Sequence, residues 1–303
     1  MYITPKIKIF QSVYAVFMIK FTVIGDPVAH SRSPGMQNAA FERAGLGRPY
    51  VRRHVTRGEL SSFVAEARKL FRGVNITVPH KEAVIPFLDE IDPAAERCGS
   101  VNTLDIRDGR VRGYSTDGYG LEYALRENFG IAPAGGTFCF IGCGGACRAT
   151  ALHLAEAGAG ALHLVNRTPA KAEDIALAVA RHVPGCRVAV HALNDAKGLA
   201  DAIADSGVLI QATSLGLSED DPPPFDPELL EANRNIAVFD TIYKNTPLLK
   251  KAAASGLRCA GGKAMLIHQG AASFRIWTGL EPDLDAMRTG FDITPVTDGD
   301  GEE

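Results

Sequence analysis

Short apolar runs alternate with longer segments in which apolar positions recur every three or four residues, and this rhythm persists along nearly the whole chain. The runs at 19–24, 49–55 and 73–78 predict strands, and the periodic stretches 34–44, 57–70 and 80–88 predict helices between them. Alternation over 101–113, with Asp108-Gly109 in its middle, predicts a hairpin. Beyond residue 137 the rhythm is more regular. Strands are expected at 137–141, 161–165, 187–191, 207–211, 236–240 and 257–260, separated by helical stretches except where 213–227 forms a proline-rich loop. Strands and helices in alternation imply an α/β protein with mostly parallel sheets, and six strands so spaced fit a doubly wound, Rossmann-like sheet. Two amphipathic helices, 263–278 and 282–290, follow Gly261-Gly262 with no strand left to pair with. They are expected to fold back onto the first domain.

The expected organisation is therefore an α/β domain over 18–117, a doubly wound domain over 118–260, returning helices over 261–292, and a ligand cleft between the domains. Residues 1–17 read as an upstream extension, with Met18 as an alternative start, and 293–303 as an acidic tail. The apolar run Ile9 to Ile19 is too short to span a bilayer, and no small-residue cleavage site follows it.

Composition narrows the field of functions. With 303 residues, 46% hydrophobic and 22% charged, the chain can fill two cores, which excludes disordered and fibrous classes. The net charge is −3, with no basic stripe, so nucleic acid and anionic membrane are poor partners. Six irregularly spaced cysteines fit a reducing cytoplasm better than a disulfide framework. Cys143 and Cys147 stand four apart, but no second Cys or His pair completes a metal-ligand set, so no metal is expected and buried thiols are the simpler account.

The candidate chemistry begins at Thr137-Phe-Cys-Phe-Ile141, which runs into Gly142-Cys143-Gly144-Gly145-Ala146-Cys147 ahead of a helix from Arg148 to Ala157. Glycines between a strand and a helix let a pyrophosphate approach backbone N–H groups at the helix N-terminus. Cys147 stands where the usual fingerprint has its third glycine. The next strand ends in Asn166-Arg167-Thr168, where an NAD site generally has an acidic residue for the ribose hydroxyls. Arg167, with Thr168 and Lys171, suits a 2′-phosphate instead, so NADP is the expected cofactor, with NAD second. A solvated Asn-Arg pair before a capping Thr168 is the plainer alternative. In the first domain, Asn75-Ile-Thr77-Val-Pro79-His80-Lys81 puts a lysine just beyond a strand, where an ammonium can serve as general acid or base or simply as surface charge. Asp117 sits at the domain junction, either as a helix cap or as a partner for Lys81. No role is assigned to His80.

These segments, together with His30-Ser31-Arg-Ser33-Pro34, Gly99-Ser-Val-Asn102-Thr103, Thr116-Asp117-Gly118, Ala212-Thr-Ser214, Thr246-Pro-Leu-Leu249 and Met265 to Gly270, occur in an order that resembles the shikimate dehydrogenase family over residues 19 to 290. The resemblance implies an NADP-dependent reduction of 3-dehydroshikimate to shikimate, on the way to chorismate and the aromatic amino acids. It makes Lys81 and Asp117 the catalytic pair. It assigns Ser31, Ser33, Thr77, Asn102, Asp117, Tyr243 and Gln269 to the substrate. Gly142, Cys143, Gly144, Gly145, Ala146, Asn166, Arg167, Thr168 and Lys171 fall to the cofactor, with Thr241 and Gly262 near the nicotinamide. A monomer or homodimer is expected. The chain departs from the family at Ser115, where most members have Asn, at Gln211, which replaces Asn, and at Met36-Gln37-Asn38. Quinate thus stands beside shikimate as an expected substrate, and a non-catalytic metabolite sensor is the rival of another class.

Overall fold

The computed structural model describes residues 20–218 and 220–293. The expectations for the upstream extension and the acidic tail fall on 1–17 and, apart from residue 293, on 294–303, outside the described residues. The chain divides into two compact units. One comprises 20–95, 101–116 and the segment from Gly270 onward, and the other comprises 96–100 and 117–269. No helix among the described residues is long and apolar enough to cross a membrane.

The first unit is built on a six-stranded sheet of order β2-β1-β3-β5-β6-β4, with β1 Lys20–Gly25, β2 Tyr50–His54, β3 Phe71–Ile76, β4 Glu90–Ile91, β5 Thr103–Arg107 and β6 Arg110–Tyr114. Its first three strands are parallel, while β5 runs antiparallel to both β3 and β6. The hairpin turns at Asp108, φ 51°, and Gly109, φ 75°. Helix α1 is Ser33–Arg43, α2 Leu60–Leu70 and α3 Pro93–Cys98. Helix 57–70 begins three residues later than expected because the Glu59 carboxylate accepts from both the N–H and the hydroxyl of Thr56, at 2.8 and 2.7 Å, closing a turn first.

The expected helix 80–88 is not formed. Only a three-residue 3₁₀ turn, Ile85–Phe87, appears there, and the reason is Pro86, which lacks the N–H a helix interior needs. The strand expected over 73–78 ends at Ile76, so Thr77 lies beyond the sheet. β4 and α3 are too short to leave a periodic signature.

The second unit is a six-stranded, all-parallel sheet of order β12-β11-β10-β7-β8-β9. Its strands are β7 Thr137–Ile141, β8 Ala161–Asn166, β9 Arg187–Ala192, β10 Val208–Gln211, β11 Ala237–Asp240 and β12 Cys259–Gly261. Numbered within the unit the order is 3-2-1-4-5-6, the doubly wound arrangement. Helices α4 Asp117–Phe129, α5 Gly145–Glu156, α6 Pro169–His182, α7 Ala196–Asp205 and α8 Pro247–Ala254 flank it. The strands are apolar at nearly every position because both faces are covered. Phe138, Phe140, Leu162, Leu164 and Phe239 enter one core cluster, and Cys139, Ile141, Val165, Leu209 and Val238 enter the other.

Helices α9 Lys263–Thr278 and α10 Leu284–Ile293 complete the chain. The first unit takes up the chain again inside α9, at Gly270, whereas the sequence reading placed the change at 261. Phe274 and Trp277 of α9 join Phe21, Phe41 and Tyr50 in an aromatic cluster with ring centroids 4.6–6.1 Å apart. Each such ring removed from water contributes about 1.5–3 kcal/mol. Gly73 in β3 is required by this packing, since a Cβ there would lie 2.4 Å from the Trp277 indole.

Candidate functional site

Because the second sheet is parallel throughout, the loops after β7, β8, β10, β11 and β12 all emerge at one edge, with the reversal of strand order between β7 and β10. Ligands of such sheets bind at that edge, at that point. The glycine loop lies there. Gly142 has φ 95° and a Cβ on it would sit 2.4 Å from the Thr213 methyl, so only glycine lets the loop close on the segment after β10. Helix α5 starts at Gly145, three residues earlier than the sequence suggests. Its N-cap, Gly144, offers no side-chain acceptor, and nothing lies within 4 Å of where a Cβ on Gly144 would be. The first-turn N–H groups at Gly145, Ala146 and Cys147 could therefore hold an anion.

Asn166 holds this loop in place. Its side-chain oxygen accepts from the Cys143 N–H at 3.1 Å, and its amide donates to the Thr168 carbonyl at 2.8 Å. Arg167, Thr168 and Lys171 are exposed at the end of β8 and the start of α6. No acidic side chain stands among 166–171 to pair with a ribose hydroxyl. Residues 142–147 and 166–171 thus fit a dinucleotide bearing a 2′-phosphate.

Thr241 and Gly262 are in contact. A Cβ on Gly262 would lie 2.1 Å from the Thr241 carbonyl oxygen, and the Gly262 N–H donates to Ile242 at 3.0 Å. The loop from Thr241 to Thr246, which carries Tyr243, is clamped by buried Asp240, a residue the sequence reading missed. Its carboxylate accepts from the Ile242 N–H at 2.9 Å and the Thr246 hydroxyl at 2.7 Å. Gln211 clamps the loop after β10 in the same way, accepting from the Thr213 N–H and donating to the Leu215 carbonyl at 2.9 Å. The longer side chain at 211 thus keeps a brace at that point.

Burial pushes the Asp240 carboxyl from 3.8 up to about 6, against the opposing effect of its two hydrogen bonds. The folded state consequently holds this proton to higher pH than the unfolded chain does. The resulting stability is complete below the unfolded value near 4 and is lost as pH rises through about 6. Asp240→Asn is expected to remove a decline on the order of 2–3 kcal/mol across that window, on top of a constant loss from the broken clamp. Urea midpoints of both proteins between about pH 4 and pH 7 measure it. A difference between them that does not change with pH would show that folding leaves the Asp240 carboxyl at its ordinary value.

In the first unit, a buried polar network runs under the end of β3. The Tyr50 hydroxyl donates to Asn75 Oδ1 at 2.7 Å, and Asn75 Nδ2 reaches the Asn102 carbonyl, Thr103 Oγ1 and Ser273 Oγ at 3.0–3.2 Å. The Lys81 carbonyl accepts from the Val101 N–H at 2.9 Å. Next to Val101, Asn102 Nδ2 donates to Thr116 Oγ1 at 2.9 Å, and its Oδ1 accepts the Thr116 N–H at 2.8 Å. Asp117 is the next residue. Two hydrogen-bonded steps therefore tie the backbone of Lys81 to the residue before Asp117. Thr77 joins the end of β1 through its N–H to the Ile24 carbonyl at 2.9 Å. Ser31 and Ser33 open α1, with the Ser33 N–H donating to Ser31 Oγ at 3.3 Å. His80 is buried and its Nε2 faces the Val55 carbonyl at 2.6 Å.

Asp117 is 5% exposed and opens α4 in the second unit. Two glycines of α4 allow neighbouring helices to approach its first turn. A Cβ on Gly118 would lie 2.3 Å from His153 Cβ of α5, and one on Gly120 would lie 2.7 Å from the Met265 carbonyl and 2.8 Å from Gln269 Cβ of α9. Asp117 and Gln269 are thereby brought onto adjoining turns of two tightly packed helices. Neither glycine could have been singled out in the sequence without knowing those partners. Gly120→Leu is expected to destabilise the protein by more than the 1–3 kcal/mol typical of overpacking, because one obstacle is backbone. A melting temperature equal to wild type would contradict that packing.

Comparison with known proteins gives a consistent picture. Residues 23–104 match the shikimate dehydrogenase substrate binding domain, and 264–289 match the shikimate 5′-dehydrogenase C-terminal domain. A shikimate dehydrogenase (NADP(+)) of Symbiobacterium thermophilum is 41% identical over 272 residues, 88% of this chain and 91% of that protein. The crystal structure of shikimate 5-dehydrogenase from Thermus thermophilus in complex with NADP(H) and shikimate is similar at a TM-score of 0.79 and 36% identity, covering 90% of this chain and 98% of the other. Quinate dehydrogenase from Corynebacterium glutamicum in complex with NAD is similar at a TM-score of 0.80 and 32% identity, covering 90% and 98%.

Proposed function

Since the chain belongs to the shikimate dehydrogenase family, we propose that it catalyses the reversible, NADP-dependent reduction of 3-dehydroshikimate to shikimate, a step toward chorismate and the aromatic amino acids. The observation that supports this most is the path from the Lys81 carbonyl through Val101 and Asn102 to Thr116, the residue before Asp117, the two residues assigned to proton transfer being Lys81 and Asp117. Bound NADPH would supply the hydride to the ketone carbon. Lys81 donates a proton to the ketone oxygen as charge develops there, and Asp117 holds the ammonium and the adjacent ring hydroxyl in register. Ser31, Ser33, Thr77, Asn102, Tyr243 and Gln269 receive the carboxylate and remaining hydroxyls. Gly142 to Ala146 take the pyrophosphate at the α5 N-terminus, Arg167, Thr168 and Lys171 take the 2′-phosphate, Asn166 positions the loop, and Thr241 and Gly262 border the nicotinamide.

The setting is a reducing cytoplasm, in keeping with six free cysteines, with a monomer or homodimer acting on a small anionic substrate and no nucleic acid involved. A second reading, quinate beside shikimate, is favoured by Gln37 Oε1 and Ser115 Oγ, which are buried without a hydrogen-bond partner among the described residues and stand where the chain departs from its family. Rates with shikimate and quinate, each with NADP⁺ and NAD⁺, decide between them. Shikimate with NADP⁺ should give the highest kcat/KM, and a higher value for quinate would replace the first reading by the second.

Asn102→Ala removes its side-chain hydrogen bonds to Thr116, each worth about 0.5–1.5 kcal/mol. It is expected to lower the melting temperature and, by removing its own substrate contact and releasing Asp117, to cut kcat/KM by about tenfold or more. Unchanged kinetics in a destabilised variant would confine Asn102 to the fold.

A further inference from the structure

Helix α4, which opens with Asp117, is gripped on two faces. Gly118 and Glu122, one turn apart, form the first. A Cβ on Gly118 would lie 2.3 Å from His153 Cβ, and His153 Nε2 meets Glu122 Oε2 at 2.6 Å, so α4 is locked to α5. Gly120, Tyr123 and Glu127, spaced by three and four residues, form the second face, and α9 lies along it. The Met265 carbonyl and Gln269 Cβ close on Gly120, the Tyr123 and His268 rings lie 5.5 Å apart, and His268 Nε2 meets Glu127 Oε2 at 2.7 Å. These contacts differ in kind. A glycine and an aromatic face let two helices come close but also let them slide, whereas a hydrogen bond to a carboxylate is directional and fixes the position along the axis. His268 is 7% exposed, precedes Gln269 in the chain, and has no part in proton or hydride transfer.

We propose that His268 is a positioning residue for the substrate: through its bond to Glu127 it sets where α9 lies along α4, and so where Gln269 stands relative to Asp117. This rests on the reading of Asp117 and Gln269 as substrate contacts. Asp117 is carried by α4, and α4 is held to α5 through His153 and Glu122. The frame is therefore α4, and the element left to be placed is α9. Gln269 Nε2 donates to the Leu266 carbonyl at 2.8 Å, a bond inside α9, so its amide travels with that helix. An ionised carboxylate only accepts, so His268 Nε2 carries the hydrogen that Glu127 receives. Without that bond α9 is free to shift along the smooth Gly120 and Tyr123 surface, and the hydrogen bond from Gln269 to the substrate lengthens. Gln269 serves the bound substrate both before and during the reaction, so its displacement raises KM more than it lowers kcat.

The test measures steady-state kinetics, NADP⁺ affinity and calorimetric shikimate binding of the full-length protein and its variants. His268→Leu keeps an apolar side chain against Tyr123 but loses the donor. Its KM for shikimate should rise about tenfold, the scale of one lost hydrogen bond to a charged group, with kcat and NADP⁺ affinity much less affected. His268→Gln, whose amide nitrogen reaches the position of Nε2, should bring KM back close to wild type. Glu127→Ala changes an exposed position, leaves the core intact, and should reproduce His268→Leu. In a Gln269→Ala background, His268→Leu should raise KM scarcely further, because its route to the substrate is gone. A KM unchanged in His268→Leu or in Glu127→Ala, a rise that His268→Gln does not reverse, or full additivity with Gln269→Ala overturns the role and leaves His268 a helix-packing residue. A wild type that neither binds shikimate nor turns it over faults the substrate reading, and the role of His268 with it. Wild-type binding that both variants equal overturns that role alone.

Discussion

Replacing Lys81 by Ala is expected to lower kcat by about 10²–10⁴-fold, the usual scale for a general acid–base group, with a smaller change in KM for shikimate. The asymmetry follows from when the ammonium acts. In the ground state the ketone oxygen is neutral and gains little from a nearby cation, whereas in the transition state it carries developing charge and needs a proton. Asp117→Asn should also lower kcat, since it removes the carboxylate that orients the ammonium while leaving the first turn of α4 and its glycine contacts unchanged. If the proposed pair shares one proton-transfer role, their losses should not add. The double variant should be scarcely slower than Lys81→Ala alone. Steady-state kinetics of the four proteins complete this cycle. Additive losses would separate the roles, and a Lys81→Ala enzyme with near wild-type kcat would return Lys81 to a surface charge.

Arg167→Ala is expected to weaken NADP⁺ by roughly ten- to a hundred-fold and to leave NAD⁺ almost unaffected. A charged hydrogen-bond partner is worth on the order of 1.5–3 kcal/mol, and about 1.4 kcal/mol is a factor of ten. The selectivity follows from position: Arg167 is exposed at the end of β8, and only the 2′-phosphate distinguishes the two cofactors. The pyrophosphate site proposed at Gly142 to Ala146 would serve both. Titration of each cofactor against both proteins measures the ratio. Equal weakening of NADP⁺ and NAD⁺ would show that Arg167 supports the loop rather than reading the phosphate.

The doubly wound sheet was legible because strands buried on both faces must be apolar throughout, as at Phe138 to Ile141 and Val208 to Ile210. The glycine loop was legible for a related reason, since its conformation depends on its own residues and on the strand and helix beside it. Features set by distant partners were not. Gly118 and Gly120 look like ordinary glycines until His153 and Gln269 are seen against them. Asn102 offers the same amide whether it meets a ligand or braces Thr116, and only the fold shows that both ends of it are engaged there. Asp240 gave no signal either, because a carboxylate closing its own loop has no fixed spacing to announce it. The missed break at 80–88 is different in kind: Pro86 was visible, and its lost N–H outweighs the apolar periodicity around it.

The central claim is that this chain moves a hydride between shikimate and NADP⁺ with Lys81 as the proton-transfer group. Formation of NADPH from shikimate and NADP⁺, followed in one assay for wild type and Lys81→Ala, tests it most directly. Steady turnover by wild type that falls about 10²-fold or more in Lys81→Ala is the predicted result, and a wild-type protein that binds NADP⁺ yet forms no NADPH from shikimate would contradict it.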